Sequence, residues 1–96
     1  GVPPDYAEAM RWYRKAADQG DAQAMNNLGG MYAKGEGVPQ DYIEAHKWYN
    51  LAASHFPASE GIRREAAVAI RDGLATKMTP QQVAEAQKLA REWKPK

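Results

Sequence analysis

Two histidines, two Asp–Glu pairs, a few hydroxyl side chains and two glycine clusters are the residues of this chain whose types could support chemistry. His46 and His55 are nine positions apart, about 180° out of phase on a helix, so they cannot share a metal and read as surface histidines. Asp5 with Glu8 and Asp41 with Glu44 could be imagined as acid and base. Each pair is accounted for by helix capping, however, with an N-cap acceptor three residues before a carboxylate that can reach back to the cap's own N–H. An acid–base pair would also need a pocket that moves a pKa toward neutrality. Ser54, Ser59 and Thr79 have no nucleophile-elbow context. Gly29-Gly30 and Gly35-Glu36-Gly37 fall within and just after a helical stretch, where a phosphate loop would need a preceding strand and a helix N-terminus aimed at the phosphate. There is no Cys, hence no disulfide and no thiolate metal site. Neither an enzyme nor a bound cofactor or metal is expected.

Charge narrows the partners. The net charge of +1 gives no global pull toward nucleic acid or an acidic membrane, but residues 1–60 carry five basic and eight acidic side chains and residues 61–96 carry eight and four. Binding to phosphates needs a continuous basic patch, and Asp72, Glu85 and Glu92 interrupt this one. Arg64 and Arg71 share a helical face, with Arg63, Lys77, Arg91, Lys94 and Lys96 elsewhere, and Glu60 suits an ion pair with Arg64 four residues on. A solvated face is the favoured reading, ahead of an acidic protein partner and of nucleic acid. No apolar run approaches the roughly 18 residues of a membrane span, and none of these 96 residues reads as a signal peptide, so any targeting segment is expected upstream of Gly1.

The elements that must position these residues are helices. From Asp5 to about Asp18 the apolar positions Tyr6, Ala9, Trp12, Tyr13, Ala16 and Ala17 recur at three and four, after Pro3-Pro4 has led in as extended chain. Gly20 supplies the left-handed stop. Asp21 caps a second helix with Ala24, Met25, Leu28, Gly29 and Tyr32 on one face, broken by Gly35 and Gly37. Gly29 within that face costs about 1 kcal/mol relative to Ala, so a close crossing by a neighbouring helix is expected there. A third helix runs from about Asp41 to His55. Ile62, Ala66, Ala69, Ile70, Leu74 and Met78 predict the apolar stripe of a fourth, with Gly73 as its weak point. Thr79-Pro80-Gln81-Gln82 forms a capping box with Pro at the first helical position, opening a fifth with Val83, Ala86, Leu89, Ala90 and Trp93 on one side. Gln81, Glu85, Lys88 and Glu92 give that helix a polar outer face, and Pro95 ends it.

The first and third helices are near copies. Gly1-Val2-Pro3-Pro4-Asp5-Tyr6-Ala7-Glu8-Ala9-Met10-Arg11-Trp12-Tyr13 aligns with Gly37-Val38-Pro39-Gln40-Asp41-Tyr42-Ile43-Glu44-Ala45-His46-Lys47-Trp48-Tyr49 at a spacing of 36, and Ala16-Ala17 with Ala52-Ala53. A period in this range marks a helical solenoid, whose units stack because none can bury its apolar face alone. From Pro57 the match fails, Leu28, Gly29 and Tyr32 falling on Arg64, Glu65 and Val68. Trp12, Tyr13, Trp48 and Tyr49 hold matching positions and read as inter-helix core, with room for a Trp to stay partly exposed.

The pattern Leu28-Gly29-x-x-Tyr32-x-x-Gly35-x-Gly37-Val38-x-x-Asp41-x-x-x-Ala45-x-x-Trp48-Tyr49-x-x-Ala52-Ala53 resembles the Sel-one-like repeat, a relative of the tetratricopeptide repeat. The resemblance implies an all-α, α/α solenoid: antiparallel helix pairs in a right-handed superhelix, working as a protein–protein interaction adaptor. Residues 1–20 read as the second half of a repeat, 21–56 as a full repeat and 57–96 as a divergent capping helix pair like those closing bacterial members of the family. The chain is thus expected to be the closing end of a longer array, cut open at its N-terminal side.

In such solenoids the first helix of each pair lines the concave side, which assigns partner binding to Gln23, Asn26, Asn27, Gly30 and Lys34. Side-chain amides suit an extended peptide, since they pair with its N–H and C=O groups. The alternative is self-association through the uncapped first helix, using Tyr6, Ala9, Trp12 and Tyr13.

Overall fold

The computed structural model describes residues 5–96; Pro3 and Pro4, expected to lead into the first helix, lie outside them. Among the described residues there are five α-helices and no strand: α1 (Tyr6–Asp18), α2 (Ala22–Lys34), α3 (Tyr42–His55), α4 (Gly61–Ala75) and α5 (Pro80–Glu92), with a 3-10 turn at Ala58–Glu60 before α4. The fold is an all-α solenoid. Each of the first three helices starts on an aspartate. Asp5, Asp21 and Asp41 accept from the N–H of Glu8, Ala24 and Glu44 at 3.0, 2.8 and 3.1 Å, satisfying one of the donors a helix start leaves open. The reciprocal half expected at Glu44 is not formed: the Asp41 N–H donates to the Tyr32 carbonyl at 2.9 Å, and the Glu44 carboxylate pairs with Lys47 at 2.7 Å. Among the described residues only Thr79 and Gln82 form the full box, with bonds of 3.1 and 2.9 Å.

Packing runs α1 on α2, α2 on α3 and α3 on α4, while α5 packs along α3 instead of pairing with α4. Alanines at the contacts (Ala17, Ala45, Ala52, Ala67, Ala86) are completely buried and let the helices approach closely around Met25, Leu28 and Trp48. A close crossing falls at Gly29, as the sequence predicts. A Cβ there would meet the Tyr49 ring at 2.8 Å, so α2 carries no side chain where α3 crosses it.

The repeat continues past Pro57, but in a shifted register. Arg14 of α1 donates to the Tyr32 hydroxyl of α2 at 2.7 Å. The same bridge between α3 and α4 joins Asn50 and Arg71 at 2.8 Å. Asn50 lies 36 residues after Arg14, whereas Arg71 lies 39 after Tyr32; α4 likewise begins 39 residues after α2, and Leu28 and Ala67, 39 apart, are both fully buried. The extra three residues are the length of the 3-10 turn. Val68 therefore stands where α2 has Gly29, and Arg64 where it has Met25. α4 has no seat for a crossing aromatic, which accounts for α5 leaving it for α3.

The shift corrects the stripe expected on α4. Ala67 and Leu74 are its buried residues, whereas Ile62 is 85% exposed and Ala66, Ala69 and Ile70 also face solvent. The expected Glu60–Arg64 pair is not made. Arg64 donates to the Phe56 carbonyl at 2.7 Å, leaving Glu60 with Arg63 at 3.9 Å.

Two further expectations are overturned. His46 is not a surface residue; at 3% exposure it is packed beneath α4, where burial and, secondarily, the Arg71 charge lower its pKa. His55 stays exposed, edge-on to Trp93 with centroids 5.3 Å apart. Trp12 and Trp48 share a repeat position but not an environment. Trp48 is 1% exposed, with Trp93 edge-on at 6.5 Å, Lys47 4.4 Å and Arg14 5.4 Å from its ring centroid. Trp12 has Lys15 at 5.7 Å from its ring centroid and is 63% exposed.

Candidate binding groove

α1 and α2 flank an open groove of about 510 Å³. Tyr6, Ala9 and Tyr13 of α1 form one wall, and Asn26, Asn27, Gly30, Met31 and Lys34 of α2 the other. Tyr49 reaches in from α3. Its hydroxyl would lie 3.3 Å from a Cβ on Gly30, so a side chain at that glycine would crowd it. Asp5 and Glu36 complete the lining. Gly37, with φ of 79°, turns the loop after α2 so closely onto α1 that a Cβ would lie 2.8 Å from the Tyr6 carbonyl oxygen.

The groove joins two sets of residues that sequence reasoning assigned to different tasks. Four of the five concave-face residues line it: Asn26, Asn27, Gly30 and Lys34. Gln23 does not. Its amide donates to Asn27 Oδ1 and its carbonyl oxygen accepts from Arg63, both at 3.2 Å, bridging α2 to α4. Of the self-association residues, Tyr6, Ala9 and Tyr13 line the same groove, while Trp12 lies apart on a shallow surface with Glu8, Arg11 and Lys15. Tyr49, Met31, Asp5 and Glu36 were not anticipated. A signal for Tyr49 existed in the Gly29-Gly30 pair, a bare stretch of helix that an aromatic at the Tyr13-equivalent position can cover.

The chemistry offered is recognition. Asn26 and Asn27 each carry a donor and an acceptor, and Lys34 is an exposed cation with no ion pair among the described residues. The Glu36 carboxylate pushes the Tyr6 phenol pKa up, and burial does the same at Tyr49. Both hydroxyls stay protonated at neutral pH and can donate. Among the described residues no cluster of His, Asp or Glu is suited to a metal, and no helix is long and apolar enough to cross a membrane.

Stacked helix pairs with an open groove of amides and tyrosines define a helical-repeat interaction module. The family model described as Sel1 repeat matches residues 1–21 and 22–55, the second span running from the first residue of α2 to the last of α3. The chain belongs to the Sel1 repeat family, whose repeats are non-catalytic and mediate protein–protein interaction. A search of curated proteins returns no match.

Proposed function

We propose that this chain is a non-enzymatic adaptor module that binds a protein or peptide partner in the groove between α1 and α2. The observation that carries the reading is the meeting, in one groove, of the Asn26 and Asn27 amides and the Lys34 ammonium with the rings of Tyr6, Tyr13 and Tyr49. Paired amides match the N–H and C=O groups of an extended backbone. Tyrosines add apolar area with a polar tip. A catalytic role is disfavoured, since general acid–base work needs a group moved toward neutrality and the groove's phenols are moved away from it. Nucleic acid and membrane are not part of the reading.

The test is selection of binders from a random dodecapeptide library, followed by titration of a selected peptide into ¹⁵N-labelled protein. Amide shifts at Asn26, Asn27, Gly30 and Lys34, and weakened binding in Asn26→Ala and Lys34→Ala, are expected. Shifts confined to residues 60–96 would refute the assignment.

A second reading is self-association through α1, favoured by the exposure of Trp12 and Tyr6 on that helix. It uses Tyr6, Ala9 and Tyr13 as well, so a second copy and a peptide would compete for one groove. Light scattering across a concentration series decides: a strict monomer at high concentration rules it out.

A further inference from the structure

α4 is held in place almost entirely by α3, its one substantial packing partner among the helices. Of its residues only Ala67 and Leu74 are buried, and Gly73 lowers its own helical preference. Among the described residues it is also the only one of the five helices whose N-terminus has no side-chain cap. Beneath it lies His46, the one buried side chain that can take a proton near neutral pH. Asn50, one turn further along α3, accepts from Arg71 at 2.8 Å, so the imidazole sits under the same contact. Its Nδ1 is enclosed and has no hydrogen-bond partner among the described residues. Thirty-six residues earlier, the matching position of α1 holds the apolar side chain of Met10.

We propose that α4 is an acid-released flap: a proton on His46 opens the contact between α3 and α4 while α2, α3 and α5 stay packed. The proton adds a charge and a second N–H donor, and the closed contact has no acceptor for it at Nδ1. Burial is the larger obstacle to the charge, and the Arg71 guanidinium adds to it; the Asp72 carboxylate, which favours the proton, acts more weakly and is already paired with Arg71 at 3.1 Å. α2 and α5, the other helices packed on α3 in this half of the chain, bring no charge to bear on the ring. Opening brings water to the imidazole and takes Arg71 away from it. The hydrogen bonds given up run from Arg71 to Asn50, from Arg64 to the Phe56 carbonyl and from Arg63 to Gln23, and water replaces each. α5 keeps its own seat on α3, with Trp93 edge-on to Trp48. Since opening takes up a proton, each pH unit below about 6.5 favours the open form up to tenfold, until the closed form is protonated as well. The switch is independent of what the groove binds.

Amide hydrogen exchange of the full chain at pH 7.5 and pH 5.5, expressed as protection factors so that the intrinsic pH dependence of exchange cancels, tests the switch. Protection in the middle of α4 should fall about tenfold between the two conditions, while that of α2, α3 and α5 falls less than about twofold. His46→Met gives this position the side chain of the preceding unit and leaves His55 to titrate; its α4 protection should be the same at both pH values. The ¹⁵N shifts of the His46 ring in the parent chain, a measurement that stands even if His46→Met does not fold, should titrate below the range of a free imidazole. Unchanged α4 protection in the parent chain, an equal fall in His46→Met, or a fall of one size in all five helices would overturn the proposal. So would a ring that titrates in or above the free range while α4 stays protected, because Asp72 would then be holding the proton inside the closed contact.

Discussion

Gly29→Ala and Gly73→Ala are the same substitution in the interiors of two helices, and the structure assigns them opposite signs. Replacing Gly by Ala in a helix interior gains about 1 kcal/mol from propensity alone. At Gly73 nothing lies within 4 Å of the added Cβ, so that gain should appear whole, raising the melting temperature by about 4–8 °C for a domain of this size. At Gly29 the Cβ would lie 2.8 Å from Cδ2 and Cε2 of Tyr49 and 3.0 Å from Cγ. These are atoms of the ring body, not the tip of a flexible chain, and Tyr49 is buried against α2. Overpacking of this kind costs about 1–3 kcal/mol, so the net effect is a loss of up to about 2 kcal/mol once propensity is credited. Urea denaturation followed by far-UV circular dichroism measures both. The clash argument can be isolated by a double-mutant cycle: in a Tyr49→Ala background the ring is gone, and Gly29→Ala should then stabilise by about 1 kcal/mol. If Gly29→Ala stabilises the parent chain as much as Gly73→Ala does, the close crossing of α2 and α3 is refuted.

Trp48→Ala should cost about 3–5 kcal/mol, whereas Trp12→Ala at the matching repeat position should stay within about 0.5 kcal/mol; equal losses in chemical denaturation would mean that the two sites share an environment after all. Leu28→Ala should cost on the order of 2–5 kcal/mol by leaving a cavity. Asn27→Ala, one residue earlier, should be near neutral because it removes only a surface bond from Gln23, and thermal melts compare the two. His46 is held neutral by burial, so its folded pKa lies below its unfolded value and the unfolded chain binds the proton more readily. Its contribution to stability is complete above the unfolded value and is lost as pH falls through the folded one. Urea midpoints at pH 7 and pH 5 should therefore fall further apart for the parent chain than for His46→Leu, and an equal drop in both would refute this.

What the sequence makes legible is what neighbouring residues decide. The aspartate caps, the glycine stops and the Thr79–Gln82 box depend on donors and acceptors within a few positions, and all of them appear. The rotation of α4 was not legible, because Ile62, Ala66, Ala69 and Ile70 keep the spacing of a core stripe whether or not a neighbour covers them. Two buried residues seven apart, Ala67 and Leu74, leave a far weaker trace. Trp12 and Trp48 could not be told apart by position. Their difference is made by Trp93, 45 residues beyond Trp48 and on a helix whose docking side no local pattern encodes. In the groove, the α2 wall followed from family resemblance, while its union with Tyr6 and Tyr13 required the packing of α1 on α2.

The position of α5 bears on how the molecule comes apart. In a simple array each unit touches only the next, so unfolding can begin at an end and travel inward by small steps. Here α5 lies back along α3 with Trp93 over Trp48, and the Lys96 N–H donates to the Asp18 carbonyl at 2.7 Å, at the junction of α1 and α2. The last helix thus latches the middle of the chain to its beginning. Peeling it away with the residues that follow it uncovers Trp48, the largest buried ring in the core, and breaks the bond to Asp18 in the same event. Melting is therefore expected as a single transition, with hydrogen exchange showing the amides of α2 and α3 opening together with those of α5.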